Sequence, residues 1–366
     1  EGGAINLLPN GKWYVGVDLF SGEMIALPRL GHRGWVPILK ATTGTRTIDK
    51  LECVTPKLPT CRIPRFVEKV LAGEDVNVLV MGSSLAEGSS TSQWAGMLFS
   101  ESSSVEKYKI PTPVNLKNTA VGGAPNAYQL AQTGIAIKHT GSSLTDDGFI
   151  EQPITGTPPY GRSELFTDVD LVVLTCLANG GDYRLQNIEP ICRNLKKMGL
   201  EVILTTDNPQ GHPFSDFNDI VDSSLYVDHQ YVLDAADRYG FEYADTAAYV
   251  VEATLRYLSK YPTLQIYRDS IHMFAAEPNG RTGTPAGGYE VWARAIRSTI
   301  PVDGIVVGTV ETAHTFDSDE DGFTPYGTQG AVSQVSGTLK TEKVSSTVGQ
   351  WGAKYELPDL NIGDTV

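Results

Sequence analysis

The chain has 366 residues, a formal net charge of −14 at pH 7 and 41% hydrophobic residues. This length fits one large domain or two to three smaller ones, and the hydrophobic fraction is sufficient for a substantial core. The acidic balance argues against nucleic acid as a partner, because phosphate binding needs a basic face, and it disfavours adhesion to anionic membranes. The sequence contains no apolar run long enough for a membrane span.

The first 60 residues are rich in Gly, Pro, Thr and aromatic residues, and their short alternating stretches predict irregular β or extended structure. Beyond them, apolar runs of strand length alternate with segments of helical spacing. The predicted elements of this part are a helix over 63–71, strands over 76–81 and 114–119, a helix over 125–138, a strand over 169–176, a helix over 187–198, a strand over 201–206, a helix over 228–239, a strand over 241–244, and helices over 247–260 and 288–299.

This alternation predicts an α/β fold with a mostly parallel sheet whose two faces are covered by helices. The apolar run over 169–176 is typical of a strand that is buried on both faces. Residues 301–366 contain many Val, Thr, Ser and Gly residues without helical periodicity, which predicts a β-rich segment. The expected organisation is therefore an N-terminal β-rich segment over 1–60, a central α/β domain over 61–300 and a C-terminal β-rich segment over 301–366.

The segment 78–88 carries an apolar run into a turn of small residues with two hydroxyl groups, those of Ser83 and Ser84. Strands end in this way where a nucleophile stands at the rim of a sheet. A serine nucleophile needs a base, and His272 is the only histidine with an aspartate, Asp269, three residues before it. The pattern predicts Ser84 as nucleophile, His272 as the base and Asp269 as the carboxylate that orients the imidazole.

Four segments in this order resemble the sequence blocks of the SGNH (GDSL-type) hydrolases, namely 82–88, 118–124, 170–182 and 269–272. The resemblance covers about residues 75–299 and implies a three-layer α/β/α fold with the activity of an esterase, a lipase or a carbohydrate deacetylase. It also implies an oxyanion hole formed by the backbone N–H groups of Ser84 and Gly123 and by the side-chain amide of Asn179.

The blocks depart from the family pattern at positions that support the turns. Ser83 stands where the family has an aspartate, and Ala120 replaces the first glycine of the second block. In the third block Leu177 replaces a glycine and Gly180 an aspartate, whereas the functional serine, glycine, asparagine and histidine are all retained. Each block alone also has an ordinary structural explanation, such as a helix N-cap for the two serines or a tight turn for the glycine and asparagine segments.

Several side chains near the blocks are candidates for contact with a substrate. A long Gly/Pro-rich insertion over 273–288 follows the predicted base, and Arg281 within it is a candidate substrate contact. Trp94, Tyr160 and Tyr183 are candidates for stacking on a sugar ring, although such aromatic residues more often lie in the core or on ordinary surface.

A separate acidic segment, 317–322, copies the first half of a calcium loop, with Asp317, Asp319 and Asp321 at ligand spacing. The position that should hold a bidentate glutamate is Thr328, and a solvated acidic turn is the alternative interpretation. A calcium ion here would hold the C-terminal segment, whereas the predicted chemistry needs no metal and no cofactor.

The sequence therefore predicts a serine carboxylic-ester hydrolase that removes O-acetyl groups from a polysaccharide. It lacks the amphipathic or strongly apolar lid that would suit a lipase, and a lipase or lysophospholipase is the first alternative. The β-rich flanks resemble those of carbohydrate-binding modules and of phage tail-spike or tail-fibre deacetylases, which implies a homotrimer with an extracellular or virion location. The second alternative is a non-catalytic carbohydrate-binding or structural tail protein that keeps the fold as a scaffold.

Overall fold

The computed structural model divides the chain into two compact units, 1–304 and 305–366, which are taken separately below. The residues that the structure describes are 5, 7–45, 47–54, 59–87, 93–100, 106–133, 137–139, 149–151, 163–175, 184–207, 224–260, 272–273, 287–302, 323–326, 330–335, 338–343 and 352–355.

The first unit begins with a four-stranded antiparallel sheet in the order β2-β1-β3-β4. Its strands are β1 (Lys12–Asp18), β2 (Met24–Leu27), β3 (Trp35–Thr43) and β4 (Ile48–Cys53). The fully buried Trp13 of β1 packs with Ala26 of β2 and Ala41 of β3 in one apolar cluster, whereas β4 is mostly exposed. The sheet is more regular than the composition of this segment predicts.

The rest of the first unit alternates helices with short strands. In chain order the elements are α1 (Pro64–Leu71), β5 (Val76–Met81), α2 (Trp94–Phe99), a 3-10 turn (Glu106–Tyr108), β6 (Val114–Asn118), α3 (Asn126–Gln132), β7 (Ile137–His139), β8 (Phe149–Glu151), α4 (Ser163–Phe166), β9 (Leu171–Thr175), α5 (Arg184–Lys197), β10 (Glu201–Thr205), α6 (Ser224–Tyr239), β11 (Glu242–Ala244), α7 (Thr246–Lys260) and α8 (Gly288–Arg297).

Five of these strands form a parallel sheet in the order β11-β10-β9-β5-β6. Successive residues of β9 point to opposite faces: Leu171 and Val173 join a core with α1, α2, α7 and α8, whereas Val172 and Leu174 join a core with α3 to α6. Both faces of the sheet are therefore covered by helices, and the predicted three-layer α/β/α fold is confirmed.

One predicted element has a different extent in the structure. The helix predicted over 125–138 ends at Gln132, and Ile137–His139 pairs with Phe149–Glu151 as an antiparallel strand. In the sequence Thr133 and Gly134 follow Gln132, and a glycine inside a helix costs about 0.5–1 kcal/mol relative to alanine. The apolar spacing beyond this point therefore belongs to a second, extended element.

Buried polar side chains join the N-terminal sheet to the α/β layers. Arg29 Nε and Nη2 donate to the two carboxylate oxygens of Asp245 at 2.5 and 2.7 Å. The backbone N–H of Asp245 donates to His32 Nδ1 at 3.0 Å, which leaves the proton of the neutral imidazole on Nε2, 2.8 Å from Ser298 Oγ. Burial lowers the pKa of His32 to about 4. Burial alone would raise the pKa of Asp245, but the Arg29 guanidinium outweighs it and lowers that pKa to about 2.

A second buried group of polar side chains lies at the same junction. The Tyr249 hydroxyl donates to Asp18 Oδ2, and Arg294 Nε lies 3.7 Å from the same oxygen. Arg294 Nη2 also donates to Ser21 Oγ at 2.9 Å. Burial, reinforced by the Asp18 carboxylate, raises the pKa of Tyr249 well above its ordinary value. Asp18 of β1 and Arg294 of α8 therefore form an ion pair away from water.

We expect protonation of His32 to lower the free energy of unfolding by about 2 kcal/mol between about pH 7.5 and about pH 5. The folded pKa of about 4 lies below the ordinary value of 6.5, so the unfolded chain takes up the proton first and stability is lost as the pH falls through 6.5 toward 4. His32→Gln removes the titrating group and should flatten this part of the pH dependence. Urea unfolding of both proteins across this range measures the effect, and equal slopes in the two proteins would contradict it.

In the second unit the described residues form four short strands. They are β12 (Phe323–Tyr326), β13 (Gly330–Val335), β14 (Thr338–Lys343) and β15 (Gly352–Tyr355). β12 pairs with β15 and β13 pairs with β14, both antiparallel. The sequence prediction for 301–366 was β-rich structure, and the described parts of the segment are strands.

Candidate active site

Ser84 lies in the turn that follows β5, at the edge of the parallel sheet where the strands end. Its Oγ is 2.9 Å from Nε2 of His272, 188 residues further along the chain. Both side chains are half-buried, so the pair is reachable from solvent. A hydroxyl within hydrogen-bond reach of an imidazole is the arrangement in which a serine becomes nucleophilic.

The position of His272 is set by the residue that follows it. Met273 is buried in the core beside α8. Gly288 is the first residue of α8, and a Cβ atom at this position would overlap the Met273 side chain. The glycine therefore lets α8 start directly against Met273, and this contact fixes the chain beside Ser84.

Three hydrogen bonds hold the nucleophile turn, defined here as residues 82–87. Trp94 Nε1 donates to the carbonyl oxygen of Leu85 at 2.9 Å, and Asn118 Nδ2 donates to that of Ala86 at 2.8 Å. The backbone N–H of Val121 donates to the carbonyl oxygen of Gly82 at 3.2 Å. The turn is thus bound both to α2 and to the segment that follows β6, so Ser84 sits on a preorganised backbone.

The prediction that Trp94 stacks on a sugar is wrong. Its side chain is 0% exposed and packs against Trp292 of α8, with ring centroids 6.0 Å apart. A buried indole N–H needs an acceptor, and here that acceptor is the residue after Ser84. Trp94 therefore supports the nucleophile turn from the core side.

The two residues before Ser84 are tightly enclosed. A Cβ atom at Gly82 would overlap Oγ1 of Thr175, the last residue of β9. Ser83 is buried, and its hydroxyl makes no hydrogen bond in the described part of the chain. Position 83 thus holds a small side chain that forms no polar contact with its described surroundings, and side chains from other segments, those of Trp94 and Asn118, hold the turn.

The segment 119–124, called here the glycine loop, lies beside the nucleophile turn. Asn118 Oδ1 accepts from the backbone N–H of Ala120 at 3.0 Å, so one side chain binds both loops. Gly123 has φ +73°, in the left-handed region that favours glycine. Gly122 differs from Gly123, because a Cβ atom there would lie 2.5 Å from Oε2 of Glu87, the end of an exposed side chain. The carboxylate of Glu87 thus lies directly over the glycine loop.

Several predicted site residues lie outside the described residues. They are Asn179, Asp269, Arg281, Tyr160 and Tyr183, together with the calcium candidates Asp317, Asp319 and Asp321. Within the described ranges no group of three or more His, Cys, Asp or Glu residues is placed to hold a metal ion. None of the helices in those ranges is long and apolar enough to cross a membrane.

The fold and the site together define a three-layer α/β/α protein with a serine–histidine pair at the carboxyl edge of its parallel sheet. The sequence indicated Ser84, His272 and Gly123, and the structure places Ser84 in hydrogen-bond contact with His272 and binds the glycine loop to the turn. The supporting roles of Trp94 and Asn118 were missed. Both depend on donors that reach backbone oxygens in another segment, which residue spacing does not reveal.

Comparison with known proteins gives neighbours in structure only. No family model matches the chain, and no curated protein matches it. A GDSL-like lipase from Bacteroides thetaiotaomicron is 16% identical with a TM-score of 0.35, over 65% of this chain and 96% of that one. A catalytic mutant of an acetylxylan esterase from Geobacillus stearothermophilus is 12% identical with a TM-score of 0.36, over 62% and 94%. An α/β hydrolase from the metagenome of Lake Arreo, Spain, is 16% identical with a TM-score of 0.39, over 62% and 96%.

These structural neighbours are described as a lipase, an acetylxylan esterase and an α/β hydrolase. At such identities and scores they assign no activity to this protein. The case for an activity rests on the contact between Ser84 and His272.

Proposed function

We propose that this chain is a serine carboxylic-ester hydrolase of the SGNH type. The observation that carries the proposal is the 2.9 Å contact between Ser84 Oγ and His272 Nε2 at the carboxyl edge of the sheet. Ligand and catalytic sites of open parallel sheets lie at this edge, where loops from several strands meet. The contact joins a hydroxyl to a base across 188 residues of chain, which a helix cap or a local turn would not need.

In the proposed reaction Ser84 Oγ attacks the ester carbonyl carbon while His272 Nε2 takes the hydroxyl proton. The tetrahedral oxyanion accepts hydrogen bonds from the backbone N–H groups of Ser84 and Gly123 and from the Asn179 side chain. The C–O bond to the alcohol then breaks, and the alcohol leaves with the proton held by His272. Asp269 would hold the second imidazole nitrogen and stabilise the imidazolium.

The second half of the reaction returns the enzyme to its starting state. A water molecule gives a proton to His272 and attacks the acyl carbon. The bond from that carbon to Ser84 Oγ breaks, Ser84 recovers the proton, and the carboxylic acid leaves. Proton transfer between His272 and the reacting oxygens thus serves both halves without a metal.

We propose O-acetyl groups on a polysaccharide as the substrate class. The support is the resemblance of the four sequence blocks to a family that includes carbohydrate deacetylases, and the net charge of −14, which does not repel a neutral sugar polymer. Activity that rises with acyl length beyond about eight carbons would favour a lipase instead.

The trimeric state, the extracellular or virion location and a calcium ion at 317–321 are further proposals that rest on the sequence alone. Sedimentation of the purified chain with and without a calcium chelator tests the first and the third. A monomer in both conditions would contradict the proposed trimer, which rests on the resemblance of the flanks to phage tail proteins.

A serine-directed fluorophosphonate tests the proposed function directly. We expect the reagent to form one covalent adduct, at Ser84, and prior acetylation by p-nitrophenyl acetate to slow its formation. Peptide mapping by mass spectrometry locates the adduct, and the neighbouring Ser83 serves as an internal control because its hydroxyl is buried. No adduct, or an adduct at Ser83, would contradict the proposal and favour a non-catalytic scaffold.

A further inference from the structure

Glu87 ends the nucleophile turn, three residues after Ser84. Its side chain is exposed, and it makes no hydrogen bond or ion pair with any other described residue. The carboxylate nevertheless has a defined place. It lies directly over Gly122, whose missing side chain leaves the space that Oε2 and Oε1 occupy, 2.5 and 3.5 Å from the position of a Cβ atom.

The carboxylate of Glu87 does not hold the nucleophile turn in place through any contact with the described residues. The nucleophile turn is held by Trp94, Asn118 and Val121, and none of these hydrogen bonds involves the Glu87 carboxylate. Any residue other than glycine at position 122 would push this carboxylate away. A negative charge therefore lies over the glycine loop, beside the turn that carries Ser84, and none of the hydrogen bonds described for the two loops involves it.

The position of this charge decides which part of an ester it meets. In the proposed function the carbonyl group lies between Ser84 and the glycine loop. An acetyl group has a single carbon beyond that carbonyl, so the portion of the ester that extends outward to an exposed side chain is the alcohol. A carboxylate only accepts hydrogen bonds, and it therefore attracts hydroxyl donors and repels anions.

We propose that Glu87 is a specificity-determining residue that selects esters of neutral, hydroxyl-rich alcohols over esters whose alcohol carries a negative charge. The inference rests on the proposed esterase function and names the alcohol class of that same site. As an order of magnitude, two unit charges roughly 7 Å apart at an effective dielectric between about 25 and 80 change binding by about 3- to 30-fold.

The experiment compares two aryl acetates with the same acyl group, 4-acetoxybenzamide and 4-acetoxybenzoate. The selectivity is the ratio of kcat/KM for the neutral ester to that for the anionic ester. We expect Glu87→Gln, which keeps the shape and removes the charge, to lower this ratio by about 3- to 30-fold, chiefly through faster hydrolysis of the anionic ester. Added salt should lower the ratio of the wild type and leave that of the variant almost unchanged.

Glu74→Gln is the matched control. Glu74 is an exposed glutamate at the opposite end of β5 from Ser84, so it makes the same change in net charge at a distance. Its selectivity ratio should equal that of the wild type. An equal ratio in Glu87→Gln and the wild type would overturn the inference, as would an equal drop in both variants.

The failure of this inference is distinguishable from failure of the proposed function. If Ser84→Ala is inactive on both esters while Glu87→Gln leaves the ratio unchanged, Ser84 is still the nucleophile and Glu87 does not select the alcohol. If Ser84→Ala hydrolyses both esters at the wild-type rate, the active site is not at Ser84, and both the proposed function of this site and the inference about Glu87 are wrong.

Discussion

Replacing Ser84 with alanine is expected to lower kcat for p-nitrophenyl acetate by at least about a thousandfold. The variant leaves His272 without the hydroxyl that it contacts at 2.9 Å, and no acyl-enzyme can form. The measurement is the steady-state release of p-nitrophenol in the presence of EDTA, with circular dichroism to show that the variant is folded. The residual rate should depend on the oxyanion donors and on hydroxide alone.

Ser83→Ala is the matched control for this prediction, because it makes the same chemical change, serine to alanine, at the preceding residue. Ser83 is 2% exposed and its hydroxyl makes no hydrogen bond with the described residues. We therefore expect kcat within about threefold of the wild type and a free energy of unfolding changed by less than about 1 kcal/mol. If kcat fell as far in Ser83→Ala as in Ser84→Ala, the activity would depend on the structure of the turn and not on the Ser84 hydroxyl as nucleophile.

Replacing Arg29 with methionine is expected to lower the free energy of unfolding by about 3–5 kcal/mol. Arg29 and Asp245 are almost fully buried and share two hydrogen bonds, so the variant leaves a carboxylate in the interior without its counter-charge. Asp245 also accepts from the backbone N–H of Ala248 in the first turn of α7, so the effect extends to that helix. Urea unfolding at pH 7 measures the change.

Two further variants show whether burial is the cause. Arg238→Met breaks an ion pair with Glu189 in which the arginine side chain is 60% exposed, and it should cost no more than about 1 kcal/mol. The double variant Arg29→Met with Asp245→Asn removes the stranded charge and should recover part of the loss. An equal loss of unfolding free energy in Arg29→Met and Arg238→Met would show that burial does not increase the contribution of the Arg29–Asp245 pair to stability.

The parts of the fold that could be predicted from the sequence are those where one segment carries its own signal. The apolar runs that became β5, β9 and β10 are continuous, because both faces of the sheet are covered. The pairing of Ser84 with a distant histidine also followed from local patterns, since few segments combine a histidine with a carboxylate at tight spacing.

What escaped prediction depends on contacts between distant segments. The sequence left open whether Trp94 contacts a sugar or lies in the core, because its burial depends on Trp292, nearly 200 residues away in sequence. Two hydrogen bonds from the Asn118 side chain end on backbone atoms, which have no signature in the sequence. The regular N-terminal sheet was not expected either, because its stability comes from packing on α7 and from buried charges of the α/β layers.

The buried junction at Arg29, His32 and Asp18 determines how short a working fragment of this protein can be. A protein cut back to residue 61 would lose Arg29 and His32 as partners of Asp245, His32 as a partner of Ser298, and Asp18 as a partner of Arg294. We therefore expect the smallest part of the chain that folds by itself to include both the α/β layers and the N-terminal sheet, and proteolysis between the two should release aggregation-prone pieces.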